Sequence, residues 1–293
     1  MKGMYYYKKL IALLLALVMA FGLVACGETA DPTEPPKDST PADATGEATE
    51  DTTEAPKEIV TVGYTIYEPM NYKDEDGELV GFDTDLAKAV FEALGYEVFF
   101  QEIEWSAKYT DLESGAIDCV WNGFTANTAD DDGVARAEKV DFSYNYMENR
   151  QVIVAKADSG IAAAADLKGK LASVESGSAG ETYAATFEGA TVKGCLKQTD
   201  CLMEVKSGAA DFAVLDAQLA KAYVGQGDYA DLKIIEDLSS EVEYYAIGFK
   251  KGSELTAKVN EQLVALAEDG TIAALAEQYG VANTAITDFS DQQ

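Results

Sequence analysis

Ile59-Val60-Thr61-Val62-Gly63-Tyr64, then Asp83-Thr84-Asp85 ahead of Leu86, Val90 and Leu94, then Gly95 and a second strand over 98–103, together decide the fold class. The first run is apolar and rich in β-branched residues, the composition of a buried strand. Leu86, Val90 and Leu94 recur at the helical period, so they share one face of a helix that Asp83-Thr84-Asp85 caps and Gly95 stops. The same rhythm continues with a short helix over 107–114, Gly115 and a strand over 117–121. Further strands are predicted at 151–156, 170–174, 191–195, 212–215 and 232–235, separated by helical stretches that include 217–224. A strand over 244–249, a helix with Leu255, Val259, Leu263 and Leu266 on one face, and a shorter helix over 271–279 complete the pattern. Strands alternating with helices predict an α/β fold, with mixed, mostly parallel sheets flanked by helices.

An internal echo divides this pattern in two. Ser114-Gly115-Ala116-Ile117-Asp118-Cys119 is matched by Ser207-Gly208-Ala209-Ala210-Asp211-Phe212, each a helix end, a glycine stop and a strand. The repetition points to two lobes built from a similar unit. Lobe 1 is expected over 58–148 with 247–293, and lobe 2 over 149–246. The chain then crosses between lobes twice, near 147–151 and 245–248, and two crossings make a hinge.

Ahead of the folded part, Lys2, Lys8 and Lys9 precede an apolar run ending in Leu23-Val24-Ala25-Cys26. This is the pattern of a lipoprotein signal peptide over 1–25, too short to span a bilayer and followed by a cysteine rather than a basic stop. Cleavage leaves Cys26 to carry the lipid, so the membrane is met by the anchor only. After Cys26, the chain from Gly27 to Lys57 is mostly Thr, Glu, Asp, Pro and Ala with no aromatic and no branched aliphatic residue, so 26–57 reads as the lipidated cysteine and a disordered acidic tether.

Composition excludes several chemistries. The chain of 293 residues has 52 acidic against 22 basic side chains and a formal net charge of −30, which disfavours nucleic acid as a partner. Histidine is absent, so serine–histidine hydrolysis and imidazole-ligated zinc are excluded. Cys119 lies in an apolar strand and reads as a buried hydrophobe. Cys195 and Cys201 are spaced closely enough for a disulfide in a secreted chain, and the sequence leaves their pairing open.

The segments 62–70, 77–87, 117–125 and 139–143, then 166–170, 175–178, 211–216, 259–260 and 269–271, closely resemble solute-binding proteins of bacterial polar amino-acid ABC importers, in their lipoprotein form. The likeness covers essentially all of 58–280. It implies the type II periplasmic-binding-protein-like fold, with a free amino acid or a derivative such as cystine closed between two lobes and handed to an ABC permease. It also implies a monomer outside the cytoplasmic membrane, no cofactor and no metal. Two other functions use the same fold: a ligand-sensing receptor subunit, and a dehydratase-like enzyme for which Glu175 or Glu68 supplies the acid or base.

By the same resemblance an arginine holds the ligand α-carboxylate and an aspartate of the other lobe holds the α-ammonium. These fall on Arg136 and Asp216, a pairing that suits a zwitterion removed from water. Read alone, Arg136 also fits a surface charge behind the acidic 127–133 turn, and Asp216 also fits a cap for the 217–224 helix. Gly123, Thr125 and Ser178 take the places of backbone and hydroxyl contacts, with Ser178-Ala179 opening a helix. Tyr67 and Trp105 take the places of the aromatic walls, although Trp105 also fits a core residue. Tyr64 stands where an aspartate is common, and Glu175 where some relatives carry lysine, which leaves the ligand's charge open. Asn122, Trp121 and Met70 are further candidates for the lining.

Overall fold

The computed structural model describes residues 57–292. The expected signal peptide, Cys26 and the tether up to residue 56 lie outside the described residues. Two five-stranded sheets organise the fold. The first runs in the order Glu97–Glu102, Ile59–Tyr64, Cys119–Val120, Gly248–Phe249, Asp141–Phe142. Ile59–Tyr64 is parallel to both neighbours, and Gly248–Phe249 is antiparallel to both of its own. The second runs Thr191–Cys195, Leu171–Glu175, Phe212–Asp216, Gln151–Lys156, Leu232–Ile235. Leu171–Glu175 is parallel to both neighbours, whereas Gln151–Lys156 is antiparallel to both of its own.

The echo in the sequence is an echo in structure. Gly115 and Gly208 end their helices in the left-handed region, at φ 76 and 79. Each is followed by an aspartate whose side chain accepts a backbone N–H from the neighbouring parallel strand. Asp118 takes that of Thr61 and Asp211 that of Leu171, both at 2.8 Å. The same three-part device, glycine stop, strand entry and carboxylate clamp, thus starts one strand in each sheet.

Between the sheets the chain passes at Met147–Asn149 and at Glu243–Tyr245, and these two segments pair antiparallel with each other. The expected single strand over 244–249 is therefore broken. Tyr245 pairs with Met147, while Gly248 pairs with Val120 and Phe142 in the first sheet. Ala246 and Ile247 supply the crossing between them, donating to Phe124 O and Ser143 Oγ.

The helix after the first strand, Phe82–Ala93, buries Phe82, Leu86, Val90 and Phe91 fully. Burial of each stabilises the fold by roughly 2 kcal/mol relative to exposure. Against it pack Leu255–Glu268 and Thr271–Gln278, which bury Val259, Leu263, Ile272 and Ala276. The expected cap is different. The N-cap is Gly81, at φ 130, where a Cβ would stand 2.1 Å from Met70 O, and no side chain caps the helix. Asp83 turns inward, because its carboxylate has buried donors to meet, as described next.

Candidate ligand-binding site

One cavity lies where the ends of strands from the two sheets face each other. It is lined by Tyr67, Trp105, Asn122, Gly123, Thr125 and Arg136 from the side of the first sheet, and by Glu175, Ser178, Ala179, Gln198 and Asp216 from the second. Of the sequence candidates, nine reach this cavity and Tyr64 does not. Tyr64 is buried against Phe100, edge to face at 6.2 Å, so it serves the packing beside its strand. Trp121 and Met70 are also fully buried away from the cavity, Trp121 against Phe91 and Tyr146. Cys195 and Cys201 are free thiols, as is Cys119.

Arg136 opens a short helix ahead of Asp141–Phe142 and is 1% exposed, which rules out its reading as a surface charge. Its Nε donates to Asp130 at 2.8 Å, Nη1 to Thr125 O at 3.2 Å and Nη2 to Gly177 O at 3.1 Å. Asp130 belongs to the acidic 127–133 turn, so that turn supplies the buried guanidinium with its counter-ion. Burial pushes the Asp130 carboxyl up, but Arg136 and hydrogen bonds from Lys139, Tyr109 and Arg136 outweigh it and hold it at about 2.

Asp216 ends the strand Phe212–Asp216 and stands at the N-cap of Ala217–Tyr223, yet its side chain makes no capping hydrogen bond. The carboxylate instead accepts from Asn149 Nδ2 at 2.8 Å, Gln151 Nε2 at 2.5 Å and Gln198 Nε2 at 2.5 Å. Burial raises its pKa, and these amides and Tyr245 oppose the rise by stabilising the charged form. Glu243 shares Asn149 and Gln151 with it, and is pushed up to about 7 by burial and by the Asp216 charge. Sequence reasoning missed Gln198, Asn149, Gln151 and Glu243. Gln198 opens its helix and is 7% exposed, and only the strand packed beside it reveals what its amide serves.

Several lining groups are already committed. The Gly123 N–H donates to Asp83 at 2.8 Å, and Asp83 also accepts from Tyr146 OH at 2.9 Å. Burial raises the Asp83 carboxyl to about 7 despite these two bonds. Gly123 has φ 59, and a Cβ there would meet the Tyr67 ring at 2.7 Å, so only glycine fits. Asn122 spends its side chain on Thr65 and Asn71. Ser178 caps Ala179–Ala184 by accepting the Glu181 N–H. Tyr67 OH meets Tyr245 OH at 2.6 Å. Trp105 fills both of its possible places. It packs on Phe124 at 5.2 Å, borders the cavity, and donates to Gly177 O at 3.1 Å. Among the described residues no cluster of side chains has the make-up of a metal site.

Residues 60–282 match the family model of the bacterial extracellular solute-binding proteins, family 3. The chain belongs to that family. Among its relatives, the arginine-binding extracellular protein ArtP of Bacillus subtilis is 31% identical over 93% of this chain and 98% of its own. The L-cystine-binding protein TcyA of the same organism is 31% identical over 76% of this chain and 81% of its own. A solved structure of an ancestral arginine-binding protein bound to arginine is 36% identical, with a TM-score of 0.69 over 76% of this chain and 98% of that one. The two-lobe, type II periplasmic-binding-protein-like fold is therefore the fold of this family 3 protein, and solute binding outside the cytoplasm is its function.

Proposed function

We propose that this family 3 protein captures a free amino acid, or a derivative such as cystine, by closure of its lobes and delivers it to an ABC permease. Arg136 holds the α-carboxylate, Asp216 the α-ammonium, and Tyr67 and Trp105 flank the side chain. Thr125 and Ser178 offer hydroxyls beside the head group. One observation carries the reading: a guanidinium and a carboxylate, both buried and attached to different sheets, line the same cavity. A zwitterion needs that pairing to leave water, and neither sheet supplies both halves. Closure is then a population shift driven by contacts made only when both lobes grip the guest.

The lobes divide at 58–148 with 247–293 and at 149–246, hinged at the paired segments Met147–Asn149 and Glu243–Tyr245. The protein acts as a monomeric binder rather than an enzyme, held at the outer face of the membrane by lipid on Cys26. The listening partner is the permease, which reads the closed form. Titration calorimetry against the common amino acids tests the site. Arg136→Ala and Asp216→Ala are each expected to abolish binding, and a variant that binds like the wild type removes that residue from the account.

A further inference from the structure

Glu175 and Asp216 end neighbouring parallel strands whose register aligns Ala172 with Phe212 and Ser173 with Ala213. The geometry puts two carboxylates side by side on one wall of the cavity, Glu175 4% and Asp216 7% exposed. Their surroundings differ. Asp216 accepts three amide donors. Glu175 has Gln198 as its polar neighbour, and that amide is already bound at both ends to Asp216. Lys108, a cation whose charge acts on it, is occupied elsewhere: its Nζ donates to Trp105 O and Gly177 O and lies 4.9 Å from the Trp105 ring and 4.6 Å from that of Tyr109.

Resting on the amino-acid reading above, we propose that Glu175 is the counter-ion for a positive charge on the ligand's side chain, so that the cleft selects guanidinium- or ammonium-bearing amino acids. The head group accounts for only two of the three groups, Arg136, Asp216 and Glu175, that can carry a charge on the cavity wall. Its carboxylate meets Arg136 and its ammonium meets Asp216, and Glu175 is left over. A neutral side chain leaves Glu175 with no charge partner and it stays protonated, because an unpaired carboxylate is costly when buried. A cationic one neutralises it, and the faces of Tyr67 and Trp105 in the same cavity attract a cation rather than repel it.

The proton balance follows from the same surroundings. In the folded chain, burial and the neighbouring Asp216 push the Glu175 carboxyl up to about 8, against the opposing pull of Lys108 and Gln198, with Asp200 adding to the rise. A cation arriving beside it favours the ionised form, so binding near pH 7 releases a proton.

Calorimetry with L-arginine and its neutral isostere L-citrulline tests this, in buffers of different ionisation enthalpy. Arginine is expected to bind about tenfold or more tightly than citrulline, the worth of one charge-assisted contact, with net proton release. Glu175→Gln is expected to weaken arginine, spare citrulline and abolish the proton release. Equal affinity for the two ligands, or an equal loss of both in Glu175→Gln, means that Glu175 shares the ammonium with Asp216 and overturns the proposal alone. If neither these nor any other amino acid binds the wild-type protein, the reading of the cleft itself falls and takes this one with it.

Discussion

The carbonyl oxygen of Gly177 lies 3.1 Å from Arg136 Nη2, a hydrogen bond that runs from the first-sheet side of the cleft to the second. Trp105 Nε1 at 3.1 Å and Lys108 Nζ at 3.0 Å donate to the same oxygen. A carbonyl has two lone pairs, so three donors exceed what it serves well. Arg136 and Trp105 are the two of these donors that also border the cavity, and Arg136 is the charged one. An arriving carboxylate offers the guanidinium an ionised acceptor in exchange for a crowded neutral one, and leaves Trp105 and Lys108 to keep the cleft shut.

Gly177→Ala is expected to weaken ligand binding by more than its effect on folding. At φ +75 an L residue costs about 1 kcal/mol whether the cleft is open or closed. The added Cβ would also lie 3.3 Å from Lys108 Nζ and 3.4 Å from Ser106 Cα, contacts that exist only across the closed cleft. Small-angle scattering with saturating amino acid should find the variant more open than the wild type, and an identical profile would count against the Gly177 carbonyl as the closing latch.

The Arg136–Asp130 pair makes the two halves unequal. Asp130→Asn leaves a 1% exposed guanidinium without its counter-ion and is expected to cost about 3 kcal/mol in urea unfolding. Arg136→Ala is expected to cost less, because Asp130 keeps Lys139 at 2.7 Å and Tyr109 at 2.6 Å. Measuring the larger loss in Arg136→Ala would show that Lys139 and Tyr109 do not hold the remaining carboxylate.

Much of this was legible in the chain, and what was hidden has a common cause. Period and punctuation expose elements, so the strand Ile59–Tyr64, the face of Leu86 and Val90, and the Gly115 and Gly208 stops stand out in the residues themselves. A break within an apolar run does not. Residues 244–249 read as one strand because nothing local marks Ala246 and Ile247 as the place where the chain changes sheets. The resemblance points to Arg136 and Asp216, but the partners that fix them arrive from 6 to 67 positions away in sequence. Asp83 shows the limit most clearly. Its place before Leu86 fits a cap, and only the folded chain brings Gly123 N and Tyr146 OH to its carboxylate.

Buried carboxylates with raised pKa values set the pH dependence of the ligand-free protein. Asp83 and Glu243 are raised to about 7 from 3.8 and 4.5, and Glu175 to about 8 from 4.5. Between those ordinary values and about 7 the folded chain holds protons that the unfolded chain has released, so stability falls as pH rises through that window. Lys108 acts oppositely. Burial lowers it to about 7 from 10.5, so above pH 7 the unfolded chain binds its proton and the folded chain does not, and the decline is offset. Asp130, held at about 2, contributes fully above its ordinary 3.8 and is lost only as pH falls towards 2. Urea midpoints are expected to drop from pH 5 to pH 7, and Asp83→Asn to shallow that slope. A midpoint that rises over the same interval would mean these carboxyls are ionised in the folded chain.

Gln198 offers a direct way to perturb the ammonium site without removing its carboxylate. Its Nε2 donates to Asp216 Oδ2, and its Oε1 accepts the Asp216 backbone N–H at 3.0 Å. Gln198→Ala removes both partners from buried groups and is expected to cost about 1–3 kcal/mol of stability. The carboxylate also loses a donor that favours its charged form, so Asp216 becomes harder to ionise. Amino-acid binding should therefore weaken more at pH 6 than at pH 8, where ionisation is easier to restore. Calorimetry at the two pH values separates this from a general loosening of the fold, which would weaken binding to the same degree at both.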